Sequence, residues 1–135
     1  MKKILIITLV FIAAAVGLLL LSYAAKYTGK AYRLAQDLKK GGLPIESIQI
    51  TESNAMYDEV AVTGGGLNIK INHYGNGLFM ESIEKNLEEE NRGRDKESRI
   101  PIYVSGLFII VVYQEPAKGG VKAALINKLG EIREF

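Results

Sequence analysis

The sequence predicts an α+β domain with a mainly antiparallel sheet, carried behind one transmembrane helix. Three observations predict it. The first is an uncharged run from Ile4 to Leu21. The second is a series of short alternating or apolar segments punctuated by glycine, as in Val60 to Ile71 around Gly64-Gly65-Gly66. The third is that stretches with apolar residues at helical spacing separate these segments. The expected order after the transmembrane helix is helix, two or three strands, helix, two strands, helix. That order suits an antiparallel sheet with three helices packed on it.

The run from Ile4 to Leu21 holds one hydroxyl, Thr8, and follows Lys2 and Lys3. At 1.5 Å per residue it reaches about 27 Å, close to the hydrocarbon thickness of a bilayer. A core helix so apolar on every face does not suit a small domain. The expected division is therefore a transmembrane signal anchor over residues 1–25 and a single domain over 26–135. The competing reading is a cleaved signal, with Ser22 and Ala24 as the small residues before Ala25. The length of the run favours the anchor. Orientation has two readings as well. Lys2 and Lys3 held in the cytoplasm would export the domain. The basic flank after the run, by the positive-inside rule, would retain it. Export is the favoured expectation.

Tyr27, Ala31, Leu34, Ala35 and Leu38 recur at helical spacing, so Lys26 to Lys40 reads as a helix continuous with the membrane segment. Gly41-Gly42-Leu43-Pro44 stops it: glycine takes the left-handed cap, leucine packs back and proline prevents resumption. Ile45 to Glu52 alternates as a strand, with Ile48 and Ile50 inward. Tyr57 to Thr63 and Leu67 to Asn72 form a hairpin about the three glycines. In that hairpin Val60, Val62, Leu67, Ile69 and Ile71 share the inner face, while Lys70 and Asn72 face water. Asn76 is a plausible cap for a helix whose face is Phe79, Ile83 and Leu87 and which runs to about Glu90. Glu88 to Arg99, rich in charge and broken by Gly93, reads as a solvated loop. Ile102 to Val104 and Leu107 to Tyr113 form a second hairpin, whose Phe108 to Val112 run is the central buried strand. Val121, Ala124, Leu125 and Leu129 mark a last helix, ended by Gly130.

Chemistry is sparse. The chain has no cysteine and one histidine, so thiolate catalysis and cysteine metal sites are excluded. His73 has no neighbouring pair of carboxylates at metal-ligand spacing and no evident partner to orient it as a base. The triple glycine continues into a strand and lacks the lysine of a phosphate loop. Glu88-Glu89-Glu90 points around a helix rather than to one centre. No catalytic, cofactor-binding or metal residue is therefore expected, and no cofactor. The net charge of +2 gives no reason to expect nucleic acid. The basic flank is more informative. On a continuous helix, Lys26, Lys30 and Arg33 would form one stripe at the headgroup boundary, with Tyr23, Tyr27 and Tyr32 nearby. Contact with the lipid surface is the role expected of those three basic residues.

Length and element order resemble small exported or membrane-anchored bacterial domains of unknown function, whose first helix ends in a Gly-Leu-Pro turn like Gly42-Leu43-Pro44. The resemblance covers most of Ala31 to Leu129. It implies a fold and a place in the envelope, and carries over no catalytic residue. The expectation is a non-enzymatic, single-pass domain that binds the bilayer and another envelope protein or a small ligand. The alternatives are a membrane-surface enzyme using His73 and a pilin-like filament subunit. A cavity lined by His73 and carboxylates would favour the enzyme, and an exposed apolar patch or free sheet edge the binding domain.

Overall fold

The structure is a computed structural model that describes residues 2–27 and 29–135, with the side chains of residues 22–28 outside the description. Its elements run α1 (Lys2–Tyr27), α2 (Lys30–Lys40), β1 (Ile45–Ser53), β2 (Tyr57–Gly64), β3 (Leu67–Tyr74), α3 (Met80–Arg92), β4 (Ile102–Ser105), β5 (Phe108–Gln114), α4 (Val121–Leu129) and β6 (Arg133–Glu134). The fold is α+β, as expected, but with four helices and a different order. Six strands form one open sheet in the order β1-β2-β3-β5-β4-β6, every pairing antiparallel.

The expected continuous helix is broken. Gly29 precedes α2 with ψ 146, outside helical geometry, and offers no side-chain cap. The cap comes from elsewhere: the Asp58 carboxylate on β2 accepts a hydrogen bond of 2.8 Å from the Ala31 backbone N–H. A carboxylate there satisfies one of the free donors of the first turn and meets the positive end of the helix dipole. At the other end α2 stops as the sequence predicts. Gly42 takes φ 108, and Leu43 N–H donates to Leu38 O while Gly42 N–H donates to Lys39 O. This is a Schellman closure, and buried Leu43 packs back beneath it.

Alternation along the strands splits the domain into layers. One face of the sheet carries Val60, Val62, Ile69, Ile71, Ile110 and Val112, which pack under Leu34 and Leu38 of α2 and Val121 and Leu125 of α4. The opposite face carries Ile102, Val104, Ile109 and Val111, which pack under Met80, Ile83 and Leu87 of α3. The two hairpins and the inner position of β5 match the sequence reading. On the outer side of β3, Lys70 pairs with Glu59 at 2.6 Å, whereas Asn72 is only partly exposed and its Oδ1 finds no partner.

Three expectations after Gly75 need correction. Asn76 caps a turn, not the helix: its Oδ1 accepts from Leu78 N–H, and α3 begins at Met80 without a side-chain cap. Phe79, expected on the packed face, stands exposed at the N-cap. The helix then runs on to Arg92, because Asn91 is buried and both accepts from Ile100 N–H and donates to Ile100 O. Two ion pairs, Arg92 with Glu88 and Arg94 with Glu90, support that last stretch from outside. After α4 the chain adds β6, two residues paired to β4, which no sequence signal marks.

Candidate functional site

The two ends of the sheet differ in kind. One end is closed by Pro44, the glycine hairpin and Pro116. The other gathers the start of α2, the β1–β2 turn, the β3–α3 loop and the β4–β5 turn. Both candidate sites lie at this second end, on opposite faces.

On the helical face, β2 and β3 place Asp58 directly opposite His73. His73 is buried, its ring edge-on to Phe108 with centroids 4.7 Å apart. Its Nδ1 lies 3.8 Å from Asp58 Oδ1, too long for a hydrogen bond and an ion pair only when the ring is protonated. Burial lowers the His73 pKa from its ordinary value of 6.5; Asp58 works against the shift and Lys30 adds to it. The other Asp58 oxygen caps α2. The only histidine therefore does have a carboxylate beside it, which the sequence reading did not find. The pair arises from strand register, at a separation of fifteen positions that no local motif shows. What the pair touches is the root of α2 and Phe108.

The opposite face at this end carries a cleft of about 500 Å³. Its floor is Tyr57 and Tyr74, a cross-strand pair whose rings stack at 5.5 Å and 15°. Met56 stands on one side and Phe79 and Ile83 on the other. Two asparagines also line it, and both have their side-chain oxygens engaged in turns. Asn54 Oδ1 accepts from the Met56 and Tyr57 N–H groups, and Asn76 Oδ1 accepts from Leu78 N–H. The tyrosine hydroxyls are neutral donors. Burial raises both pKa values, with Glu52 and Tyr74 adding to the shift of Tyr57. Such a cleft offers an aromatic floor and apolar walls to an apolar ligand. A volume of this size falls within the roughly 300–1,000 Å³ of small-molecule sites.

Of the three basic residues expected at the lipid surface, Lys30 and Arg33 are exposed in the first turn of α2. The side chain of Lys26 lies outside the described residues, as do those of Tyr23 and Tyr27. The break before Lys30 means that Lys26 and Lys30 do not belong to one helix. Residues Lys2 to Leu21 of α1 are long and apolar enough to cross a membrane, and no part of that stretch is buried against the domain. Among the described residues no group of three or more metal-ligating side chains converges.

No known protein-family model matches the chain. No curated protein and no solved structure matches it either.

Proposed function

We propose that the chain is a single-pass membrane protein whose α+β domain works by binding, and that it takes a small amphiphile with an apolar body in the cleft over Tyr57 and Tyr74. The observation that carries this reading is the cleft's lining: stacked tyrosines and apolar side chains, with both asparagine oxygens already engaged. His73 and Asp58 lie on the other face of the sheet, so the cleft has no acid–base pair pointing into it. The domain is assigned to the outer side of the membrane by the short basic leader before the apolar run, and a reporter active only after export, fused behind Phe135, checks that assignment.

The chain has no tryptophan, so Phe79→Trp on the cleft wall supplies a single reporter. In a chain of residues 25–135, a fatty acid brominated along its tail should quench that tryptophan saturably. Met56→Asp, at an exposed rim position, should weaken the binding about tenfold by placing a charge against the tail. Quenching that rises without saturation, or that ignores Met56→Asp, would remove the cleft as the binding site.

A further inference from the structure

Behind α1, five large hydrophobic side chains stand exposed: Met56, Leu78, Phe79, Tyr113 and Ile126. The first three belong to two neighbouring loops at one end of the sheet. The loops are tied together, since Gly75 N–H donates to Met56 O at 2.7 Å. Leu78 is 77%, Met56 60% and Phe79 57% exposed, so more than half of each residue faces solvent. Polar residues normally occupy loop tips, so three large apolar ones in adjoining loops call for a covering surface.

The same end is where the membrane helix arrives. Asp58 immediately follows Tyr57 of the cleft floor, and it holds Ala31 at 2.8 Å. From Ala31 back to Tyr27, the end of α1, is four residues, which span at most about 14 Å. Within α1 the apolar run ends at Leu21, and six further helical residues rise about 9 Å. The headgroup layer is itself about 6 Å thick, taking half the difference between the whole bilayer and its hydrocarbon core. The start of α2 therefore lies at most about 23 Å from the end of the apolar run, no more than about 17 Å beyond the headgroup layer, with Lys30 and Arg33 exposed on its first turn. Exposed cations together with exposed apolar side chains are the composition of an interfacial anchor.

We propose that Met56, Leu78 and Phe79 insert into the interfacial layer of the same bilayer that α1 crosses, so that the domain is held at two places and its cleft opens toward the lipid. The proposal rests on the reading of α1 as a bilayer span. It fixes which end of the domain faces the membrane, and it assigns the source of the cleft's ligand to the bilayer.

The absence of cysteine makes the test direct. The full chain is reconstituted in phosphatidylcholine–phosphatidylglycerol vesicles as single variants Met56→Cys, Leu78→Cys, Phe79→Cys, Tyr113→Cys and Ile12→Cys. Each carries an environment-sensitive fluorophore, and nitroxide lipids quench it at shallow or deep positions. Circular dichroism confirms that each variant is folded. The label at Ile12 should be quenched from deep in the bilayer. Labels at Met56, Leu78 and Phe79 should shift to the blue and be quenched by shallow nitroxides. The label at Tyr113, near the far end of β5, should remain in water. A deep Ile12 with aqueous labels at 56, 78 and 79 overturns the proposal and leaves the span standing. Shallow quenching at Tyr113 equal to that at the loop tips also overturns it, since lipid contact would then not belong to this end. An aqueous label at Ile12 removes the span and the proposal with it.

Discussion

His73 is the residue whose chemistry the structure changes most. A lone histidine near a strand end reads as an edge residue, yet it is buried beneath the root of α2, against Phe108 and across from Asp58. Its pKa is lowered from 6.5, burial being the larger cause. The sign of the consequence follows from proton counting. As pH falls through 6.5 the unfolded chain takes up a proton that the folded domain still refuses, so the unfolded state gains. This contribution to stability is complete above 6.5 and is lost as the pH drops toward the folded pKa. Asp58 lessens the shift by favouring the charged ring, and Lys30 deepens it. The urea midpoint of the domain should thus fall between pH 7.5 and pH 5.5, and His73→Gln should flatten that part of the profile. A slope unchanged in His73→Gln would place the titration elsewhere, in a group other than this one.

At the scale of elements, the three glycines between β2 and β3 show how one sequence signal conceals three roles. Gly66 takes φ 78, the left-handed geometry of the turn. At Gly65 a Cβ would make ordinary contact with Pro44 Cβ at 3.8 Å, and φ is not positive. Gly64 is still in the strand, paired with Ile45, and a Cβ there would overlap the carbonyl of Pro44. Gly64→Ala should therefore cost about 1–3 kcal/mol through forced backbone movement. Gly65→Ala should change stability by less than about 1 kcal/mol, and in the favourable direction if it restricts the unfolded chain. Thermal melts of the two variants separate these outcomes, and equal losses would refute the distinction. The hairpin itself was legible, because Val60, Val62, Ile69 and Ile71 recur at every second position and share a core. So was the Gly42-Leu43 stop, which depends on residues adjacent in sequence. The break at Gly29 was not, because the cap on Ala31 is Asp58, 27 positions beyond it. Nor was the end of α3, where the amide of Asn91 pins Ile100 and the helix runs two residues past Glu90, to Arg92. The cleft was illegible for the same reason: Tyr57 and Tyr74 meet only through register, and Met56 and Phe79 only through their loops. Local rules capture local closures; long-range partners are fixed by the assembled sheet.

For the whole molecule, the decisive division is between α1 and everything after it. Among the described residues, every buried member of both cores comes from Ala31 or beyond. None of the apolar stretch from Lys2 to Leu21 is covered by the domain. The stretch from Lys2 to Leu21 that would hold the domain to a membrane therefore lends the described cores no contact, and the two should be separable by experiment. A chain of residues 25–135 should fold with the same cooperative transition as the full chain. The full chain should stay with membranes through an alkaline carbonate wash, and the shortened one should not. What remains in the shortened chain is surface attraction. Lys30 and Arg33 near anionic headgroups contribute about 1 kcal/mol each. Replacing both with Gln should then weaken binding to phosphatidylglycerol vesicles about thirtyfold, since each 1.4 kcal/mol is tenfold. The binding should also fall with salt, because the Debye length shrinks to about 3 Å at 1 M. The loop tips predict the remainder: affinity that survives high salt should vanish when Met56, Leu78 and Phe79 are replaced by Ser. Sedimentation with vesicles at low and high salt reads both components. Binding insensitive to salt and to the Lys30 and Arg33 changes would assign the attraction to the apolar tips alone. A shortened chain that fails to fold would instead show that residues before 25 contribute to the core.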